Sequence, residues 1–195
     1  MTAPEPKANK AYFALADYLI MAMLAALGVA VKAVITPLAQ VLTGPLFIPG
    51  GAVAGGFYML FLVLAVAIVQ KRGAALLTAV IQALLVLVTM IPGSHGAASL
   101  ITYTAPGLAV ELVYLIMRGH RACCPLCCFI AGMCANLTGC YAVNLAIFRL
   151  PLIPLLLCLS VAALSGGLGG LIAHAVAVNL RKVGLIKKWS RNEEA

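Results

Sequence analysis

Residues 92–118 read PGSHGAASLITYTAPGLAVELVYLIMR, a glycine-rich loop followed by an apolar segment that carries Glu111. Between Arg72 and Arg118, no other residue has a full charge. A carboxylate inside hydrocarbon is costly, so it normally faces a polar interior and marks a functional site. Helical spacing back from Glu111 places on one face Gly107, Thr104 and Tyr103. This face predicts a ligand contact at Glu111; the alternative is a neutral Glu111 that only hydrogen-bonds a neighbouring helix.

The composition of the whole chain is that of a membrane protein. Of its 195 residues, 64% are hydrophobic and 9% are charged, whereas about a quarter of a soluble domain is charged. Several uncharged runs reach the roughly 20 residues that a helix needs to cross a bilayer. The net charge of +8 does not indicate nucleic-acid binding, because the basic residues lie at the ends of apolar segments and not in one stripe. The sequence predicts an all-α, polytopic membrane protein.

Turn and charge signals divide the chain into six predicted transmembrane helices, which form a single integral membrane domain over residues 1–195. The interruptions are TGP at 43–45, KRG at 71–73, PGSHG at 92–96, RGHR at 118–121 and RLP at 149–151. The predicted spans are 17–40, 47–70, 74–92, 100–117, 122–148 and 151–180. No cleavable signal peptide is predicted, because the first apolar segment is long enough to remain in the membrane.

The basic residues predict the orientation of these spans. If the six spans alternate, 11 of the 13 Lys and Arg residues fall on one side of the membrane, and Lys32 and Arg149 are the exceptions. Basic residues concentrate on the cytoplasmic side of membrane proteins. We therefore expect both termini to be cytoplasmic and the loops near 41–46, 93–99 and 149–150 to lie outside.

Polar residues in other spans predict the remaining walls of a substrate pocket. Asn136 and Asn144 lie at i and i+8 in span five with Tyr141 alongside, and buried amides need partners or a wet cavity. Tyr58 supplies an aromatic ring with a polar tip, and His95 lies in a small loop that could close over a site. The predicted substrate-binding residues are Glu111, Tyr103, Thr104, His95, Asn136, Tyr141, Asn144 and Tyr58. No catalytic or metal-binding residue is predicted.

Span one carries two features that each have more than one interpretation. Ala22, Ala26 and Ala30 form a flat stripe of small residues, on which a helix of a partner or of this protein itself could approach closely. Lys32 lies in the outer half of the same span. Its side chain could extend outward to the membrane surface, pair with Glu111, or contact an anionic ligand.

The stretch ACCPLCC at residues 122–128 opens span five. Cys124 and Cys127 have a spacing that permits metal binding or dithiol cycling. On the cytoplasmic side thiols stay reduced, and a buried cysteine also behaves as a small hydrophobic residue. A membrane-embedded dithiol oxidoreductase using this pair is the alternative from a different functional class.

In size, number of spans and predicted cytoplasmic termini, the chain resembles the substrate-binding S components of energy-coupling factor (ECF) vitamin transporters. The stripe of Ala22, Ala26 and Ala30 is similar to the alanine motif by which S components dock on a transmembrane coupling subunit. QKRGAALLTAVIQALL at 70–85 and GSHGAASLITYTAPGLAVELVYLI at 93–116 resemble the YkoE branch, linked to thiamine and its hydroxymethylpyrimidine precursor. The similarity covers most of residues 18–180. Lys71-Arg72-Gly73 stands where the branch is expected to have Lys-Pro-Gly.

The resemblance implies a multi-pass subunit of a bacterial-type cytoplasmic membrane that captures a vitamin or vitamin precursor, most simply thiamine or hydroxymethylpyrimidine. Its partners would be membrane lipid, a coupling subunit and two cytosolic ATPases, because the chain lacks a phosphate-binding loop of its own. It would not be an enzyme and would need no cofactor. The pocket is expected in the outer half of the bundle, between spans four to six. Alternatives are an S component for another vitamin or a modified base, and a helical bundle without a ligand.

Overall fold

The computed structural model describes residues 13–46, 49–90, 96–117 and 124–184. Over these ranges the chain forms six α-helices, two 3-10 turns and no strand. The helices are α1 (Leu15–Thr43), α2 (Gly50–Val69), α3 (Ala74–Thr89), α4 (Ser99–Ile116), α5 (Pro125–Val143) and α6 (Leu152–Lys182). The 3-10 turns are Gly44–Leu46 and Gly96–Ala98, and α5 continues as a π-helix over Asn144–Phe148. The predicted all-helical membrane bundle is confirmed.

Each predicted span corresponds to one helix, with boundaries shifted by a few residues. Five of the described helices are long and apolar enough to cross a membrane, and α3, with 16 residues, is shorter. Helix α3 ends before the predicted residue 92 because Met90 adopts a left-handed conformation (φ 48°). Pro92 follows two residues later in the sequence, a position typical of a proline after a helix end.

The two ends of the bundle differ in what they carry. One end, called here the terminal end, holds residues 13, 70–73, 117, 124 and 184. The other, called the cavity end, holds residues 44–46, 49–50, 96–99 and 144–152. The basic residues Lys71, Arg72, Arg181 and Lys182 lie at the terminal end. This arrangement agrees with spans that cross the membrane in alternating directions. The cytoplasmic position of the termini stays a prediction.

The Lys71-Arg72-Gly73 turn holds the terminal end of three helices together. Gly73 has φ 86°, a left-handed conformation that glycine adopts without a steric penalty. Lys71 Nζ forms a 2.6 Å ion pair with Asp17 in the first turn of α1. The turn between α2 and α3 is therefore fixed to the start of α1.

Helices α2, α5 and α6 meet through glycines. A methyl group added at Gly56 would collide with the Ser165 carbonyl oxygen, and one at Gly132 with the Gly166 carbonyl oxygen. We call this contact the glycine interface, formed by Gly56, Gly132, Gly166, Gly169 and Gly170. Small residues let membrane helices approach to backbone contact, so the glycines of SGGLGG are explained by helix packing.

Two helices contain an internal proline, Pro37 in α1 and Pro106 in α4. Proline has no N–H to donate to the carbonyl four residues earlier. The carbonyls of Ala33 and Thr102 therefore lack that hydrogen bond within their helices.

Candidate functional site

A cavity of about 260 Å³ lies at the cavity end of the bundle. Its walls come from the last turns of α1 and α5, the first turns of α2, α4 and α6, and the π-helix after α5. The prediction placed the pocket between spans four to six. The structure adds α1 and α2, because the cavity-end half of α1 turns a polar face inward.

That polar face consists of Lys32, Thr36 and Gln40, which follow one another at intervals of four residues. Such residues lie above each other on one side of a helix. Lys32 and Thr36 are buried, with 4% and 3% of their surface exposed. The Lys32 side chain borders the cavity instead of reaching the membrane surface, and its contact with an anionic ligand stays a prediction.

Lys32 reaches across the cavity from α1 to α4. Its Nζ donates a hydrogen bond to the hydroxyl of Tyr103 and lies 4.6 Å from the centre of the Tyr103 ring. Thr102, the neighbour of Tyr103 on α4, also lines the cavity and is buried. We call these four residues (Lys32, Thr36, Thr102 and Tyr103) the polar corner.

Three predicted substrate-binding residues line the cavity: Tyr58, Tyr103 and Asn144. The Tyr58 hydroxyl donates to the Gly51 carbonyl at 3.4 Å. Asn144 Oδ1 accepts from the Leu150 backbone N–H at 2.9 Å and so closes the turn after the π-helix. Met59, Val143 and Phe148 complete an apolar wall.

Glu111 does not lie in the cavity. Its Oε1 accepts a 2.8 Å hydrogen bond from the backbone N–H of Ala75, in the first turn of α3. The helical spacing predicts Tyr103 and Glu111 on one side of α4, but eight residues of helix separate them by about 12 Å. The cavity covers only the first part of that side, so the structural hydrogen bond is the interpretation that the geometry supports.

Three further predicted residues also lie outside the cavity lining. Asn136 is buried, and its Nδ2 donates to the carbonyls of Ala52 (3.0 Å) and Ala162 (2.9 Å), which joins α5 to α2 and α6. Thr104 donates within its own helix to the Leu100 carbonyl. Tyr141 is 49% exposed on the outside of the bundle, where lipid would be. His95 lies outside the described residues, so its role in substrate binding stays a prediction.

Sequence reasoning missed several residues of the cavity. Thr36, Gln40 and Thr102 were not singled out, although the four-residue spacing from Lys32 through Gln40 was visible in the sequence. Cys140 and Cys158 also line the cavity, with their sulfur atoms 2.8 Å apart. Nothing in the sequence indicated this pairing, because it depends on how α5 packs against α6.

The cysteines of the oxidoreductase alternative lie at the terminal end, far from the cavity. Cys124 precedes α5, and the backbone N–H groups of Cys127 and Leu126 at this helix start lower the pKa of its thiol. Cys127 is buried. Within the described ranges, no group of three or more His, Cys, Asp or Glu side chains is arranged to hold a metal ion.

The alanine stripe lies on the outside of α1. Ala26 and Ala30 are exposed and Ala22 is half-buried. Their neighbours Met23 and Leu27 are also exposed, 65% and 50%. The stripe is therefore not used for packing within the described bundle.

The same architecture occurs in a known protein. A solved structure described as "Crystal structure of an S-component of ECF transporter" superposes with a TM-score of 0.72 at 24% sequence identity, covering 89% of this chain and 88% of that one. This similarity shows a common fold. No curated protein matches the chain. The model of a family described as "ABC-type cobalt transport system, permease component" matches residues 16–138, more than half of the chain. The chain belongs to this family of transport-system permease components.

Proposed function

We propose that this protein is the substrate-capturing membrane subunit of an ECF-type importer for a vitamin or vitamin precursor, with thiamine or hydroxymethylpyrimidine as the first candidates. The observation that carries the proposal is the cavity, a small and mostly apolar space that a few polar side chains line. Small-molecule sites have this character, with polar groups fixing the orientation of the ligand. The shared fold with an S component and the membership of a transport family support the same role.

Cobalt, named in the family description, is a second candidate substrate. Divalent transition metals are held by several nitrogen, oxygen or sulfur donors. The described cavity lining supplies the thiols of Cys140 and Cys158 and the amide oxygens of Gln40 and Asn144. It supplies no carboxylate and no imidazole, and the ammonium group of Lys32 repels a cation. These side chains fit an organic molecule better than a metal ion.

Transport would require partners that dock on α1. The exposed stripe of Ala22, Ala26 and Ala30 offers a flat surface on which a helix of a coupling subunit can approach closely. That subunit would connect the protein to two cytosolic ATPases, which supply the energy for import. The protein itself would bind its substrate and carry out no chemistry.

Isothermal titration of the detergent-purified protein with thiamine, hydroxymethylpyrimidine and Co²⁺ tests the substrate. We expect saturable binding of an organic ligand and none of Co²⁺. Mass spectrometry of small molecules that co-purify with the protein extends the test to other vitamins. Binding of Co²⁺ alone would overturn the proposal.

A bulky residue in the alanine stripe tests docking. Ala26→Trp should abolish substrate uptake by cells that carry the complete transporter, because the side chain separates the two helices, and should leave substrate binding by the isolated subunit unchanged. Ala175→Trp is the matched control, since Ala175 is an exposed alanine on α6 outside the stripe. Equal loss of uptake in both variants, or loss of binding in Ala26→Trp, would contradict docking at this surface.

A further inference from the structure

The threonines of the described helices fall into two groups. In the described helices, Thr43, Thr78, Thr89, Thr104 and Thr138 each donate their hydroxyl to the carbonyl four residues earlier. This is the usual arrangement for threonine in a membrane helix. Thr36 and Thr102 are different, because their buried hydroxyls have no hydrogen-bond partner.

Both exceptions border the cavity. Thr36 on α1 and Thr102 on α4 both line it, and 3% and 4% of their surfaces are exposed. A buried polar group without a partner costs about 1–3 kcal/mol, and in a membrane bulk water is not close at hand. Two such groups on facing helices have the character of a site whose hydrogen bonds are completed by a bound molecule.

The charge of the corner restricts what that molecule can be. The Lys32 ammonium group lies one helical turn before Thr36 and contacts Tyr103. Among the described residues that line the cavity there is no Asp or Glu to balance it. A permanent cation would therefore meet an unfavourable potential, whereas lone pairs or a negative charge would be attracted.

We infer that the polar corner binds the hydrogen-bond acceptor edge of an uncharged or anionic heterocycle and selects against a permanently cationic one. The hydroxyls of Thr36 and Thr102 and the Lys32 ammonium donate to ring nitrogens or to an oxyanion. Met59, Val143 and Phe148 enclose the apolar part of the ring. The inference rests on the proposed function and specifies its substrate class: hydroxymethylpyrimidine fits, and thiamine, with its charged thiazolium ring, does not.

Titration with ligands of different charge tests this selection. The panel consists of hydroxymethylpyrimidine (uncharged), nicotinate (anionic) and thiamine (cationic). The wild type should bind at least one of the first two more tightly than thiamine, by about tenfold or more. Thiamine as the tightest ligand of the panel would overturn the inference while leaving the importer function in place.

Substitutions in the polar corner test which groups carry the recognition. Lys32→Met should lower the affinity for the preferred ligand by about tenfold or more, because a charged hydrogen bond is lost. Thr102→Val should lower this affinity by about threefold or more, because a neutral hydrogen bond is lost. Thr138→Val is the matched control, because Thr138 already donates to the Cys134 carbonyl and does not line the cavity. It should bind as the wild type does.

The outcomes distinguish failure of the inference from failure of the proposed function. If the wild type binds a panel member and the Lys32 and Thr102 variants bind it equally well, the inference is wrong and the importer function stands. If the wild type binds none of the panel, the proposed substrate class falls and the inference falls with it. Thermal unfolding of each variant without ligand shows that a change in affinity does not reflect unfolding.

Discussion

Polar side chains lie inside the bundle both beside the glycine interface and in the polar corner, but the two regions differ in whether those groups are paired. Beside the glycine interface, Asn136 donates to two backbone carbonyls, and Ser165 donates to the Val53 carbonyl and accepts from the Gly56 N–H. In the polar corner, the hydroxyls of Thr36 and Thr102 have no partner. A paired buried group stabilises the fold, whereas an unpaired one beside a cavity is suited to a ligand. Polarity alone does not distinguish the two.

The largest effect is expected from breaking the glycine interface. Gly132→Val forces a side chain against the backbone of Gly166 and Gly170, which cannot move aside as a flexible side chain would. Overpacking of this kind should lower the free energy of unfolding by about 3 kcal/mol or more. The measurement is thermal unfolding in detergent.

Gly44→Ala is the control for this prediction, since a methyl group at Gly44 meets no atom within 4 Å. Its melting temperature should equal that of the wild type. A Gly132→Val protein as stable as Gly44→Ala would show that the close backbone contact is not needed for stability.

Removal of a paired polar group should lower the stability of the protein, whereas removal of an unpaired one should not. Asn136→Leu removes both side-chain hydrogen bonds to the carbonyls of Ala52 and Ala162 and should cost about 1–3 kcal/mol of unfolding free energy. Thr102→Val removes a hydroxyl that has no partner and should keep or raise the stability of the ligand-free protein. Comparison of the two melting temperatures checks both. A larger loss of melting temperature in Thr102→Val than in Asn136→Leu would contradict this distinction between paired and unpaired groups.

The smallest effect is expected at Glu111. Glu111→Gln keeps an oxygen that can accept from the Ala75 N–H and removes only the charge at the start of α3. A charge near a helix N-terminus contributes about 0.3–1 kcal/mol, so stability should fall slightly and ligand affinity should not change. Tyr103→Phe, on the same side of α4 but at the cavity, should reduce affinity. Reduced affinity in Glu111→Gln with none in Tyr103→Phe would return Glu111 to the binding site.

The sequence was sufficient for the six helices, because uncharged runs bounded by glycine, proline and basic residues determine where a membrane helix begins and ends. It was less informative about the site. Periodicity placed Tyr103 and Glu111 on one side of α4 but could not show how far along the helix the cavity extends. Asn136 appeared to need a ligand because its partners, the carbonyls of Ala52 and Ala162, belong to other helices.

Thr36 and Thr102, in contrast, line the cavity but were not predicted from the sequence. A threonine in a membrane helix gives no signal in the sequence, since it normally pairs with its own backbone. Only the three-dimensional arrangement reveals that these two do not. The same holds for Asn144, whose contact with the Leu150 N–H depends on the π-helix that follows α5.

The prolines of α1 and α4 have a consequence for how the cavity opens. Pro37 follows Thr36 directly, and Pro106 lies one turn after Thr102. Sharp bends in helices commonly occur at proline, so we expect the cavity-end segments of these two helices to bend at Pro37 and Pro106. Helices α2, α5 and α6 are held at backbone contact by their glycines. We therefore expect a substrate to enter and leave by displacement of the cavity-end segments of α1 and α4, on the side that carries Lys32.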